Sequence, residues 1–292
     1  MRAFDGTPNT ECVPHHWDYK TSREVMMRAE GATTTAEAER RALLMINPGI
    51  KRAPYTTDTI LAAWQLLLPG ERALAHRHTV FAMRFFIEGS GGYTAVGGRK
   101  MMMEPGDLIL TTQFQWHDHG NEGEDACLWL DCLDQPLFAG NFPVNFQMRF
   151  MNHPDSNGSR FHESKVWKDM KARLDAKEGS TARLEYTVDS MPEKHASRTM
   201  AAYALRINEN ATTAAIHDTC NHIFHCVSGS GFTIISNPAT GEEKKIDWTN
   251  KGTWCIPSWH KFTHTAIEGT AYLFTYNDFP TLEKLGFYAS AF

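Results

Sequence analysis

The chain is written in short apolar runs that switch on and off every few residues. "RFFIEGSGGYTAV", "EPGDLILTT" and "ACLWLDCL" are rich in β-branched and aromatic residues and are cut by Gly, Pro, Asn and Asp. Runs of this length with turn residues between them predict antiparallel strands closed into a sandwich or barrel. Two stretches break the rhythm. In "RFHESKVWKDMKARLDAKEG", Val166, Met170 and Leu174 recur at helical spacing and the run stops at Gly179, which predicts a helix within a linker. "TTAEAERRALLMI", residues 34–46, reads as a helix or as a short helical turn leading into a strand.

The pattern also repeats along the chain. "AAWQLLLPGERALAHRHT" from Ala62 is echoed by "AAYALRINENATTAAIHDT" from Ala201, and "EGSGGYTAV" by "SGSGFTII". "QWHDH" is answered by "SWHKFTH", and "WLDCLDQP" by "LFTYNDFP". The offset grows from 139 residues (Ala62 to Ala201) to 144 (Trp129 to Leu273), as small loop insertions between two copies would produce. The expected architecture is all-β, two similar barrels in tandem. Residues 1–145 form a helical or extended arm and the first barrel, 146–196 a linker with a helix, and 197–292 a degenerate second barrel.

Composition narrows the setting. With 42% apolar and 22% charged residues in 292, the chain can build sizeable cores. A net charge of -5 gives no reason to expect nucleic acid or an anionic membrane surface as partner. No apolar run reaches the ~20 residues of a membrane span, and "MRAFDGTPNTECVPHH" lacks a signal-peptide apolar core. Six scattered cysteines without a CxxC pair read as free thiols in a reducing compartment, so a cytoplasmic location is expected.

Histidine is the residue with chemistry to explain. His76 and His78 are separated by one residue in "HRH", and His117 and His119 likewise in "WHDH". On a strand, positions i and i+2 share a face, so each pair points one way and Asp118 the other. Imidazoles on two adjacent strands of a small barrel can converge on one ion. No carboxylate follows "HRH" before Glu88, which favours an all-histidine site of His76, His78 and His117. Three neutral ligands suit Fe(II), Mn(II), Ni(II), Cu(II) or Zn(II) equally on affinity grounds. They leave the ion its full charge, which favours an anionic bidentate oxygen ligand with acidified hydroxyls, such as an aromatic hydroxyacid.

These residues closely resemble the cupin superfamily, whose barrel is a double-stranded β-helix or jelly roll. "GERALAHRHTVFAMRFFIEG" looks like its first motif, and "PGDLILTTQFQWHDHGN" holds the H-x-x-x-N ending of its second, His117 to Asn121. More narrowly, "AERRALLMINPGI", "LAAWQLLLPGERALAHRHT", "WHDHGNEG" and "WLDCLDQPL" resemble the bicupin gentisate 1,2-dioxygenases and their salicylate and 1-hydroxy-2-naphthoate relatives. The resemblance implies Fe(2+) on His76, His78 and His117. It also implies an aromatic hydroxycarboxylate and O2 as substrates, in aromatic catabolism, and a homo-oligomer (dimer or tetramer). Arg84 and Arg40 would hold the substrate carboxylate, Gln65 and Asp131 would line the pocket, and His119 would bind or deprotonate the ring hydroxyl. Leu61 and Ala63 stand where pocket residues vary among relatives.

Two features test that picture in advance. Six residues of unbroken strand would carry Arg84 about 20 Å from His78, so the chain must reverse between them, without a Gly or Pro. In the second copy, His217 is followed two places later by Thr219, which breaks the pair and points to a barrel kept for packing. The rival readings are a cupin oxidoreductase tailoring another phenolic metabolite, and a metal-free bicupin that binds a small molecule or builds an oligomer.

Overall fold

The alternation in the sequence becomes, in the computed structural model, four antiparallel sheets. The structure describes residues 8–28, 41–141, 147–149, 164–189 and 194–291. Among them, no helix is long and apolar enough to cross a membrane. The chain divides into two compact units: Lys20–Met45 with Leu61–Met170, and Met1–Tyr19 with Ile46–Ile60 and Lys171–Phe292.

The described chain opens with β1 (His15–Trp17) and α1 (Tyr19–Arg28). The unit that carries the four motif histidines then follows. Its strands are β2 (Arg41–Leu44), β3 (Leu61–Leu67), β4 (Arg72–His78), β5 (Ala82–Glu88), β6 (Gly92–Val96) and β7 (Arg99–Met102). They continue as β8 (Leu108–Thr111), β9 (His117–Asn121), β10 (Cys127–Leu133), β11 (Gln147–Arg149) and β12 (Ser164–Lys165). One sheet runs β12-β8-β5-β10-β3-β2 and the other β11-β4-β9-β6-β7. Residues 34–40 of the segment read as helix or strand lie outside the described residues; its end is strand β2.

Helix α2 (Trp167–Asp175) is the one expected from Val166, Met170 and Leu174. Met170 and Leu174 are buried, while Val166 precedes the helix and is exposed. Beyond it come β13 (Thr181–Glu185), β14 (Ala201–Ile207), β15 (Ile216–His217), β16 (His222–Ser228) and β17 (Gly231–Ser236). The chain ends with β18 (Glu243–Trp248), β19 (Thr253–Ile256), β20 (Lys261–Ala266), β21 (Ala271–Asn277) and α3 (Phe279–Leu285). The sheets of this unit are β1-β19-β16-β21-β14-β13 and β15-β20-β17-β18. The strand order β8-β5-β10-β3 of the first unit is thus repeated as β19-β16-β21-β14, and β4-β9-β6-β7 as β15-β20-β17-β18. The sequence repeat is a repeat of topology.

Inside the first barrel the strand faces divide by chemistry. Leu67, Phe86, Val96, Met101, Met103, Ile109, Cys127 and Trp129 form a buried apolar cluster. Two residues further along the same strands, on the same face, the apolar side chains give way to Gln65, Arg84, Thr94, Thr111 and Asp131, all buried. The motif asparagine secures the fold: Asn121 Nδ2 donates to the carbonyls of Leu67 and Asp125 at 3.1 and 2.7 Å. Between it and His119 stands Gly120, where a Cβ would lie 2.4 Å from the Tyr93 ring, so a larger residue would have to displace that ring.

Candidate active site

The two histidine pairs meet because β4 and β9 are hydrogen-bonded neighbours, with His76 directly opposite His117. A β-bulge between Ala73 and His76 sets this register. The His76 and His117 rings are 4.1 Å apart, His78 and His117 4.9 Å, and His117 and His119 5.6 Å. All four imidazoles are buried. One ring nitrogen each from His76, His117 and His119 lie within 4.8 Å of one another, and the His78 ring is 5.5 Å from that of His76.

Hydrogen bonds sort the four rings into two kinds. Nδ1 of His76, His78 and His117 faces the carbonyls of Leu74, Val80 and Gln115 at 2.9, 2.7 and 2.8 Å. A carbonyl can only accept, so each Nδ1 carries the hydrogen and each Nε2 is left as a lone pair. His119 differs. Its Nδ1 lies 2.9 Å from Thr94 Oγ1, a hydroxyl that can donate or accept. Burial, then the charges of His76 and Arg84, holds His117 neutral well below the usual histidine range. His117 Nε2 is itself buried with no hydrogen-bond partner among the described residues. Imidazoles oriented through Nδ1 by backbone carbonyls, with an orphaned Nε2 among them, fit a divalent transition ion.

The chain does reverse between His78 and Arg84. Residues 79–81 carry it from β4 in one sheet to β5 in the other. His78 Nδ1 donates to Val80 O, and Phe81 N donates to the buried Asp134 carboxylate at 2.8 Å, so side-chain hydrogen bonds replace the Gly or Pro of an ordinary turn. Arg84 then enters the barrel with 1% of its surface exposed. Its Nη1 donates to Thr111 Oγ1 at 2.6 Å, and its Nε is 3.4 Å from Asp131 Oδ1. Asp131 also accepts the Trp129 indole N–H at 3.1 Å, and the Trp129 ring lies 5.5 Å from that of His119. Gln65 pairs with Trp129 across β3 and β10, and Ala63 pairs with Asp131. The Gln65 side chain is fully buried, and neither of its amide atoms has a hydrogen-bond partner among the described residues.

Seven of the eight residues singled out from sequence are therefore in one barrel interior. The eighth, Arg40, lies outside the described residues; its neighbour Arg41 pairs with Glu71 at 2.6 Å. Thr94, Thr111 and Trp129 join the site without having been singled out. Strand alternation places each on the right face, but the register that brings Thr94 beside His119 is a property of paired strands.

The second unit shows what the same frame looks like without the site. Trp259 N donates to Asp218 O at 2.8 Å as Phe114 N does to His78 O, and Asn221 N to Asp278 Oδ1 at 2.9 Å as Phe81 N to Asp134. These twin bonds put Asp218, not His217, in the place of His78. Ile216 pairs with Phe262 as His76 pairs with His117, and Phe224 with Thr275 as Arg84 with Asp131. Only the last histidine remains: His264 Nδ1 is 2.8 Å from Thr233 Oγ1, and Phe224 and Phe262 pack beside its ring.

A cupin domain model matches residues 63–133. The chain is 29% identical to a gentisate 1,2-dioxygenase of Aquipseudomonas alcaligenes, over 96% of this chain and 87% of the relative. It is 30% identical to a 5-aminosalicylate 1,2-dioxygenase of Comamonas, over 96% of this chain and 82% of the relative. A salicylate 1,2-dioxygenase from Pseudaminobacter salicylatoxidans shares the fold, with a TM-score of 0.87 at 24% identity over 98% of this chain and 90% of that one. A histidine cluster in the first of two matching barrels, and likeness along nearly the whole chain, lead to one assignment: the protein belongs to the bicupin gentisate 1,2-dioxygenase family, oxidoreductases that incorporate O2.

Proposed function

We propose that the protein is an Fe(II)-dependent dioxygenase that opens the ring of an aromatic hydroxycarboxylate, with gentisate, giving maleylpyruvate, as the substrate of choice. One observation carries the reading. Gln65, a fully buried amide with no hydrogen-bond partner among the described residues, is the cross-strand partner of Trp129, whose ring lies 5.5 Å from that of His119, and it shares a face with the Arg84–Asp131 pair. Leaving such an amide unpaired costs about 1–3 kcal/mol, which a polar ligand recovers.

His76, His78 and His117 hold the metal, since their tautomers are set by carbonyls. Bound there, Fe(II) supplies a Lewis acid for the substrate's oxygen atoms and the redox centre for O2. Arg84, braced by Thr111 and Asp131, takes the substrate carboxylate and fixes the ring's orientation. His119 accepts the ring hydroxyl proton on Nε2, with Thr94 beside Nδ1. Gln65 hydrogen-bonds a ring substituent. The first unit carries the chemistry and the second serves packing and subunit contacts in a homo-oligomer. Phe287 and Leu285, exposed on the C-terminal segment, support the last point. Six free, buried cysteines support a reducing, cytoplasmic setting.

The test is oxygen uptake by anaerobically reconstituted Fe(II) protein offered gentisate, 5-aminosalicylate, salicylate and 1-hydroxy-2-naphthoate. About one O2 per gentisate, with appearance of an enol-absorbing product, is expected. No uptake with any of the four overturns the proposal.

A further inference from the structure

The second unit has lost the histidine site but carries a cluster of its own. Asp218, Cys220 and His222 are all buried, and one donor atom from each lies within 4.8 Å of the others. Their placement is built. Asp218 is fixed through its carbonyl by Trp259 N–H, and its carboxylate accepts Cys220 N–H at 2.9 Å. Asn221 is tied to the buried Asp278 through both its backbone N, at 2.9 Å, and its Nδ2, at 3.1 Å. His222 opens β16 with Nε2 2.9 Å from Asp218 Oδ1. Because Asp218 occupies the place that His78 has in the first barrel, the cluster sits at the same end of the double-stranded frame.

The donor set is one thiol sulfur, one imidazole nitrogen and one carboxylate oxygen. That mixture suits a borderline-soft divalent cation of the zinc class, with a fourth position left for water. The charges also fit. A thiolate and a carboxylate together offset the charge of a divalent cation, which lowers the cost of holding it in a buried pocket. We propose that Asp218, Cys220 and His222 form a second metal site, for a zinc-class divalent cation, in the barrel that lacks the histidine cluster.

The proposal does not depend on the dioxygenase reading and can be tested apart from it. Metal-stripped full-length protein is titrated with Co2+ under anaerobic conditions. A thiolate-to-cobalt charge-transfer absorption is expected, because the first-barrel site offers no sulfur. It should vanish in Cys220→Ser and persist in Cys255→Ser. Should Cys220→Ser not fold, His117→Ala protein offers the second measurement: elemental analysis after Zn2+ loading should still find about one metal per chain. Cobalt binding without thiolate absorption, absorption that survives in Cys220→Ser, or a metal-free His117→Ala protein overturns the proposal.

Discussion

Arg84 and Asp131 are direct cross-strand partners on β5 and β10, and the guanidinium Nε stands 3.4 Å from the carboxylate Oδ1 inside a barrel that admits almost no solvent to either. The pair is oriented, since Thr111 and the Trp129 indole hold its two ends. Arg84→Lys keeps a cation for Asp131 but removes the planar fork that matches a carboxylate. The variant should retain fold and metal and lose about 2–3 kcal/mol of transition-state binding, roughly 30- to 150-fold in kcat/KM. Steady-state kinetics with gentisate, alongside metal analysis, decides it. A variant equal to wild type would remove Arg84 from the substrate site.

Metal content separates the roles of the four histidines. His76→Ala, His78→Ala and His117→Ala should each lose bound iron together with activity, because each removes an Nε2 whose Nδ1 is fixed by a carbonyl. His119→Ala should keep iron and lose turnover. Iron counted by mass spectrometry in the four variants checks this, and loss from His119→Ala with retention in His78→Ala would exchange the two assignments.

Gln65 is held at a cost. In the second unit the rung that matches Gln65 and Trp129 is Leu205 and Leu273, so leucine fits this frame. Gln65→Leu should raise the unfolding free energy by about 1–2 kcal/mol, by removing a buried unpaired amide, while lowering kcat/KM. Chemical denaturation and kinetics on one preparation test both halves. A variant that is less stable and fully active contradicts the role.

Acid should weaken the second unit through His225. Burial, then Lys251, lowers its pKa to about 3, and its Nδ1 lies 2.9 Å from Thr253 Oγ1. The unfolded chain binds a proton near pH 6.5 that the folded one refuses until about pH 3. Stability is therefore complete above about pH 6.5 and falls as pH drops, by roughly 2 kcal/mol at pH 5. In His225→Gln the gap between urea midpoints at about pH 7.5 and pH 5 should narrow. An unchanged gap would place the acid sensitivity elsewhere.

Much of this was legible before any coordinates. Strand faces follow from a period of two, so "HRH" and "WHDH" declare two imidazoles per face, and Gly–Pro punctuation marks the turns between runs. The repeat announced two barrels for the same reason: it records which strands occur and in what order. Helix α2 followed from three apolar residues at helical spacing, apart from Val166 at its start.

What remained closed to the sequence is register. Read as the first member of a broken pair, His217 matches His76. The paired strands instead place Ile216 opposite Phe262 as His76 stands opposite His117, with Asp218 in the place of His78, and a slip of one carries a strand's side chains to the opposite face. The reversal at residues 79–81 was equally hidden, because it rests on Asp134, 53 positions from the Phe81 N–H it accepts. The same holds for Thr94 beside His119 and for Asp131 beside Arg84, partners separated by 25 and 47 residues (119 − 94 and 131 − 84). The order of residues along the chain determined the strands, their faces and the donor atoms each offers. Only the folded barrel decided which donors meet, because a contact between strands depends on pairing and bulges that local alternation does not encode.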